Sequence, residues 1–517
     1  MSTSSAPDTP ALRIGPDVTL SCEDVETASR DEHTRLRTTS AAEAALASSR
    51  AALERAREAG RPVYGVTTGL GPLVDEEVGP EEESSSGSEA SFRDDRGRKL
   101  IAHLGAGAGS FAPPPLVRGT MIVRLQTLAQ GHSAVRPALV DAVAEVFESG
   151  LIPAVPEIGS LGASGDLTPL AHIARACTGE GSVVTSDGEL RDAAEALEAI
   201  GRAPVRLGRR DALGLVNGTA FMTAYAALAV ARGRRLLERA EALTGLIYRL
   251  LGCSREALGE GLHRARGHSG QIQSAAAIRD VATREGARPS AERPLQEVYS
   301  LRCAPQILGA VREQLRHARD LAEVELNGAT DNPVFDTDGA DVLHGGNFQG
   351  QQIAFAADAL NEALTQAGVL AERQLDVLLS PDQNGGAPPL LAWEPGPNSG
   401  FGGAQLTATA LVAEMRNDAQ MAATSSIPTN GDNQDVVSMG ALAARRAHGQ
   451  TRHLATILSI LGLALGQLIH LRAEGRADGP APDLPGWMPA VDPIREDRAL
   501  RAEIEDLTDR WVVPSPS

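Results

Sequence analysis

From about residue 115 onward, apolar residues recur at three- and four-residue spacing along the 517-residue chain. The pattern is strongest near 116–130, 212–250, 305–328, 351–378, 404–423 and 436–473, stretches rich in Ala, Leu and Arg, and it predicts long helices. Strand patterns are short and few, around Val183–Thr185 and Val334–Val342. The expected fold class is mainly α, a bundle of long helices with few short strands. Helices of that length leave apolar faces that one chain cannot cover, so association into an oligomer is expected. The longest apolar run, Leu454–Leu471, approaches transmembrane length but carries Gln467 and His470, and it reads as a helix buried in a bundle or subunit interface.

Changes in pattern divide the chain. Residues 1–10 read as a disordered tail, 11–210 as an N-terminal domain, 211–475 as a central long-helix bundle and 476–517 as a C-terminal segment. Within the first domain, 75–98 is acidic, Ser/Gly-rich and aperiodic, the pattern of a flexible insertion that can serve as a lid. The Gly/Pro-rich stretch 384–403 reads as a long surface connection. The N-terminus has neither a basic segment nor an apolar one, so no secretory signal is expected.

Charge and composition narrow the chemistry. A formal net charge of −19 argues against nucleic-acid or anionic-membrane binding, which needs a basic face. Four widely spaced cysteines without a CxxC pair exclude a zinc ribbon or disulfide scaffold and fit a reduced cytoplasm. Lys99 is the sole lysine, in an Arg-Gly-Arg-Lys stretch, so pyridoxal chemistry, which needs a buried Schiff-base lysine, is not expected. No His/Cys/Asp/Glu spacing suggests a metal site.

The most informative segment is Gly159–Ala174, GSLGASGDLTPLAHIA. Its second half starts a helix, with Asp166 or Thr168 able to cap and Pro169 suited to the first turn. Ala163-Ser164-Gly165 therefore sits in a glycine-rich turn near a positive helix end. Ser164 is not in a GxSxG elbow, so an ordinary serine nucleophile fits poorly.

The segment resembles the signature of the histidine, phenylalanine and tyrosine ammonia-lyases and their aminomutase cousins. Further motifs follow in the family's order over roughly residues 15–475: Tyr64-Gly-Val-Thr-Thr-Gly-Leu-Gly, Gly214-Leu-Val-Asn217-Gly-Thr, Arg266-Gly-His268-Ser-Gly-Gln271, Leu295-Gln296-Glu-Val-Tyr299-Ser-Leu-Arg302, Gly345-Gly-Asn347-Phe348-Gln and Asn430-Gly-Asp-Asn433-Gln434-Asp435. The resemblance implies that Ala163-Ser164-Gly165 cyclises unaided into a methylidene-imidazolone, the sole prosthetic group, with neither pyridoxal phosphate nor metal. Chemically, the Gly165 nitrogen, unhindered by a Cβ, attacks the Ala163 carbonyl. The resemblance also implies a homotetramer whose active sites each draw on three subunits, and a small-molecule amino-acid substrate.

Site residues follow from the same resemblance. Tyr64 matches the base for the β-hydrogen, and a phenol with an ordinary pKa of about 10 needs a stabilising neighbour for that work. Arg302 is the arginine suited to a bidentate grip on the substrate carboxylate, with Asn217 beside it. Tyr299 matches a group supporting proton transfer or the electrophile's oxygen, and Asp166 a group assisting cyclisation. Gln296, Phe348 and Glu414 match pocket positions, Glu414 as a buried carboxylate. Tyr225 and Tyr248 lie in helical patterns and read as packing, while His448 and His453 read as facing solvent or core. Substrate choice is read from the pair His103-Leu104. Tyrosine lyases resemble His-Leu there, histidine lyases Ser-His and phenylalanine lyases Phe-Leu. A histidine can hydrogen-bond a phenol oxygen and so reject the substrate lacking it. The expected activity is elimination of ammonia from L-tyrosine to trans-p-coumarate, with histidine ammonia-lyase, tyrosine aminomutase or a catalytically dead structural relative as alternatives. Thr67 and Leu70 depart from the commoner Asn and Phe of the tyrosine loop.

Overall fold

The computed structural model describes residues 11–75, 95–185, 187–284, 289–336, 341–479, 481–482, 486–488 and 492–513. The expected tail at 1–10 and most of the acidic stretch at 75–98 lie outside these residues. The described residues form seventeen α-helices and nine strands, and no strand exceeds four residues, so the fold is mainly α as the periodicity implies.

Five of the expected helices fall where the pattern places them: Pro114–Ala129, Ala304–Leu326, Gln351–Leu379, Gly402–Asp418 and Gly440–Ala473. The single helix expected over 212–250 is instead two, Arg209–Val216 and Ala220–Leu251. The break has a cause: Asn217 takes an extended conformation (φ −91°, ψ 98°) and its side chain is committed elsewhere. Both strand patterns form, as Ser182–Val184 and as an antiparallel pair, Val334–Asp336 with Asp341–Leu343, in the register Phe335 to Val342.

The chain divides into two units. The first contains residues 1–228, 319–357 and 421–445. Its axis is Pro114–Ala129, whose residues Leu116–Ala129 are buried on every side, which explains its lack of an amphipathic stripe. Arg118 on this helix is buried yet satisfied: it donates to the carbonyls of Ser29 and Phe147 and lies 3.9 Å over the Phe147 ring. Neighbouring helices start at strong caps. Ser21 and Asp24 form a reciprocal capping box on Cys22–Arg30, and Thr39 caps Ser40–Glu58, each worth about 1 kcal/mol.

The second unit contains residues 229–318, 358–420 and 446–517. Its core is leucine on long helices, including Leu236, Leu243, Leu308, Leu315, Leu364, Leu375, Leu461 and Leu468. Gly233 marks a close approach, since a Cβ there would meet Leu315 at 2.8 Å and Leu364 at 3.4 Å. Helix Gly440–Ala473 is long and apolar enough to cross a membrane, yet its apolar stretch is buried within the protein. Gln467 in that stretch donates to the carbonyls of Leu391 and Ile494 and accepts from the Ile494 amide, so burial leaves it satisfied.

Candidate active site

In the first unit the turn Gly159–Asp166 is held at Ser160, Gly162, Ser164, Gly165 and Asp166. Gly162 (φ +70°) and Gly165 (φ +71°) adopt the left-handed conformation that glycine favours. The Gly162 carbonyl accepts from the Ser438 hydroxyl at 2.8 Å and from the Gly350 amide at 3.2 Å. Gly165 runs beside Gly218 in a parallel bridge so close that a Cβ on it would lie 2.3 Å from the Gly218 oxygen. The glycines on both sides of this contact are therefore steric requirements: a Cβ on Gly218 would meet the Arg124 guanidinium at 2.2 Å.

Ser164 is gripped at both of its oxygens. Its carbonyl accepts from the Asn217 side-chain amide at 3.0 Å, and its hydroxyl accepts from the Gln434 side-chain amide at 2.7 Å. Asn217 is oriented in turn by the Asn332 amide, which donates to its Oδ1 at 2.8 Å. That strand of chain is anchored by a buried ion pair, Arg210 to Asp331 at 2.5 Å, with Arg124 at 3.8 Å from the same carboxylate. Burial lowers Arg124 to about 10, still charged near neutrality.

Asp166 departs from its expected capping role. It occupies the N-cap position of helix Leu167–Cys177, but its side chain makes no bond to that helix. Its carboxylate instead accepts from the Ser160 hydroxyl at 2.6 Å and from the Met222 amide at 2.9 Å, in the first turn of Ala220–Leu251. The charge thus meets the dipole of a longer helix. Complete burial outweighs these donors and raises the carboxyl to about 7.

Tyr64 lies in the turn after Ser40–Glu58. Its phenol oxygen accepts from the Gly71 amide at 2.7 Å, a donor suited to negative charge on that oxygen. The Asn430 side chain comes within 2.9 Å of where a Cβ on Gly71 would stand. The loop carrying Asn430 and Gln434 therefore touches both the Tyr64 loop and Ser164. His103 ends helix Asp95–His103 with its ring exposed and Nδ1 3.3 Å from the Lys99 carbonyl oxygen, and Leu104 is half-buried. Phe348 is half-buried just before Gln351–Leu379.

The remaining candidates lie on the second unit. Tyr299 and Arg302 occupy one short helix, Tyr299–Arg302, with the guanidinium carbon 4.6 Å from the Tyr299 ring centroid. Tyr299 is 68% exposed, while the Arg302 Nε is buried without a hydrogen-bond partner. Gln296 is exposed. Glu414, expected as a buried carboxylate, is exposed on the single chain: the buried stripe of Gly402–Asp418 runs through Ala404, Ala408, Val412 and Met415, and Glu414 stands off it. Tyr225 packs as expected, edge-on to Phe221 with centroids 4.9 Å apart. Among the described residues no cluster of three or more His, Cys, Asp or Glu is placed to hold a metal ion.

Sequence reasoning passed over several members of this arrangement. Gln434 stands within the Asn430–Asp435 motif, which carries no local sign of its bond to Ser164. Asn332, Asp331 and Ser438 act on partners far along the chain and Ser160 through its hydroxyl on Asp166, contacts that no motif announces.

The sequence profile described as aromatic amino acid lyase matches residues 20–485. The chain belongs to the aromatic amino acid lyase family. It is thus a carbon–nitrogen lyase by family. The chain is 41% identical over 461 residues to a tyrosine ammonia-lyase of Cupriavidus metallidurans, covering 84% of each chain. It is 40% identical over 487 residues to an MIO-dependent tyrosine 2,3-aminomutase of Streptomyces globisporus, covering 89% of this chain and 88% of the relative. The crystal structure of a tyrosine aminomutase from Streptomyces globisporus superposes with a TM-score of 0.87 at 36% identity over 97% of both chains. The chain is thus similar to this tyrosine ammonia-lyase and this tyrosine aminomutase at nearly the same identity.

Proposed function

We propose that this chain is a tyrosine ammonia-lyase that converts L-tyrosine to trans-p-coumarate and ammonia. The observation that carries the reading is the Ala163-Ser164-Gly165 turn, with Gly165 where only glycine fits and both Ser164 oxygens held by side-chain amides. These residues fit cyclisation into a methylidene-imidazolone. The Gly165 nitrogen bonds to the Ala163 carbonyl carbon, and two waters leave, one with the Ala163 oxygen and one with the Ser164 hydroxyl. The finished group supplies an electrophilic methylene that no ordinary side chain provides. Asp166, raised to about 7, is suited to hand protons to and from the departing waters.

The other residues bind and orient. Tyr64 takes the β-proton, helped by the Gly71 amide at its oxygen. Arg302, with an unpartnered buried Nε, holds the substrate carboxylate. Tyr299 stands beside it for proton transfer. His103 hydrogen-bonds the substrate phenol, with Leu104 and Phe348 packing the ring and Gln296 and Glu414 completing the pocket. Neither pyridoxal phosphate nor metal takes part.

We further assign a homotetramer with three chains contributing to each site. Apolar side chains left open on the single chain support it: Leu295 is 82%, Leu406 73% and Val324 73% exposed. Four free cysteines support a cytoplasmic enzyme. A light-scattering mass near one chain instead of four would contradict the tetramer.

The functional test is incubation of the purified protein with L-tyrosine, L-histidine and L-phenylalanine separately, with chromatography of the products. p-Coumarate from tyrosine supports the reading, and urocanate from histidine would contradict the substrate choice read from His103-Leu104. A β-tyrosine peak supports the second reading, a tyrosine aminomutase, which the similarity to the Streptomyces globisporus enzyme favours.

A further inference from the structure

His344 lies immediately after strand Asp341–Leu343, 280 residues from the turn that carries Tyr64, and no step of the proposed reaction uses it. Yet its Nε2 accepts a hydrogen bond from the Tyr64 backbone amide at 3.1 Å. Acceptance requires a neutral ring with its hydrogen on Nδ1. His344 is exposed at the surface, and partial desolvation together with the neighbouring Arg61 guanidinium holds the ring below the ordinary histidine pKa, which keeps that lone pair free.

The contact is one of several between the Tyr64 turn and the strand pair Val334–Asp336 and Asp341–Leu343. Arg61 pairs with Asp341. Val63 and Val66 share a buried apolar cluster with Phe335 and Val342, together with Leu53 and Ala56 of the preceding helix. The other bonds that the described residues make to backbone amides of the turn include local ones, from Val63 to the Thr67 hydroxyl, from Gly65 to the Thr68 hydroxyl and from Val66 and Thr67 to the Val63 carbonyl, and these shape the turn without fixing where it stands. His344 is the polar tie from outside to the residue that matters.

The same strand pair is tied to the electrophile turn. The Gly345 amide, next to His344, donates to the Asn332 side-chain oxygen at 2.9 Å. The Asn332 amide donates to Asn217, and Asn217 donates to the Ser164 carbonyl. Four hydrogen bonds therefore lead from the Tyr64 amide to Ser164 through His344-Gly345, Asn332 and Asn217. We propose that His344 is a positioning residue that sets the Tyr64 phenol relative to the Ser164 turn. It touches neither substrate nor reacting atoms and acts through the backbone of Tyr64. The inference rests on the reading of Tyr64 as the base.

Two variants separate the acceptor from the ring. His344→Phe keeps an aromatic ring and loses the acceptor, whereas His344→Gln keeps an acceptor and loses the ring. Both are assayed for kcat and KM with L-tyrosine, for the kinetic isotope effect with β-deuterated tyrosine, and for the mass of the Ser164 peptide. Misplacing a reacting group by about 1 Å costs up to about 100-fold in rate, so kcat of His344→Phe falls by about 10- to 100-fold, with KM little changed. Its isotope effect rises as proton removal limits turnover, its Ser164 peptide still lacks two waters, and His344→Gln recovers most of kcat. Wild-type kcat in His344→Phe, equal losses in both variants, or a loss confined to His344→Gln would each overturn the proposal. Failure of the wild-type protein to turn over any aromatic amino acid would instead sink the lyase reading itself.

Discussion

Replacing Gly165 with alanine tests whether the electrophile turn is as closely built as its geometry implies. Two costs add. Gly165 sits at φ +71°, where an L side chain costs about 1–2 kcal/mol. The new Cβ would also stand 2.3, 2.5 and 2.6 Å from the oxygen, carbon and nitrogen of Gly218, all backbone atoms that cannot swing away. Overpacking of this kind costs a further 1–3 kcal/mol or so. Relief requires moving Gly218, whose carbonyl accepts from the Asp166 amide at 2.7 Å and whose neighbour Asn217 holds Ser164. Gly60→Ala is the matched control, since Gly60 has φ +67° but nothing within 4 Å of its would-be Cβ. Side-by-side denaturant unfolding should show Gly60→Ala losing about 1–2 kcal/mol and Gly165→Ala losing roughly 2–5 kcal/mol. The Ser164 peptide of Gly165→Ala should retain its full mass. Equal losses in the two variants, or a Gly165→Ala protein whose peptide still sheds two waters, would refute the reasoning.

Three further outcomes are expected. Ser164→Ala abolishes turnover while leaving the melting temperature close to wild type, because a half-buried turn residue is changed but the electrophile is lost; wild-type turnover would refute the cofactor assignment. Asp166 has a folded pKa of about 7, above its unfolded value of 3.8, so it favours the fold fully below about pH 4 and costs stability as pH rises toward 7. The three-unit gap corresponds to a loss on the order of 4 kcal/mol, and Asp166→Asn should flatten the stability profile between those limits; an unchanged slope would mean that another group titrates there. His103→Phe shifts kcat/KM toward phenylalanine over tyrosine by about 10-fold or more, the scale of one lost hydrogen bond to the substrate, and unchanged selectivity would mean that His103 does not meet the ring.

Long-range pattern made the fold class legible, because a helix announces itself in its own periodicity. The break between Arg209–Val216 and Ala220–Leu251 is masked by Leu215, Val216 and Ala220, which continue the apolar pattern through it, and its one local sign is the turn-favouring pair Asn217-Gly218. What stops the helix is a tertiary demand: Asn217 is needed by Ser164 and Asn332. The same holds for Asp166, which sequence assigns to its own helix and the fold gives to the next one. Ser164, Tyr64 and Asn217 were readable because the motifs around them resemble those of the ammonia-lyases. His344, Asn332 and Asp331 were not, because their roles depend on partners more than a hundred residues away.

The central claim is that Ala163-Ser164-Gly165 closes on itself to make the electrophile that tyrosine meets. The most direct measurement is the mass of the proteolytic peptide spanning Gly159–Ala174 from the purified protein. The account predicts a peptide lighter than its sequence by two waters, both lost between Ala163 and Gly165. A peptide of full mass, with an intact Ser164 hydroxyl, in protein that still releases ammonia from tyrosine would contradict it.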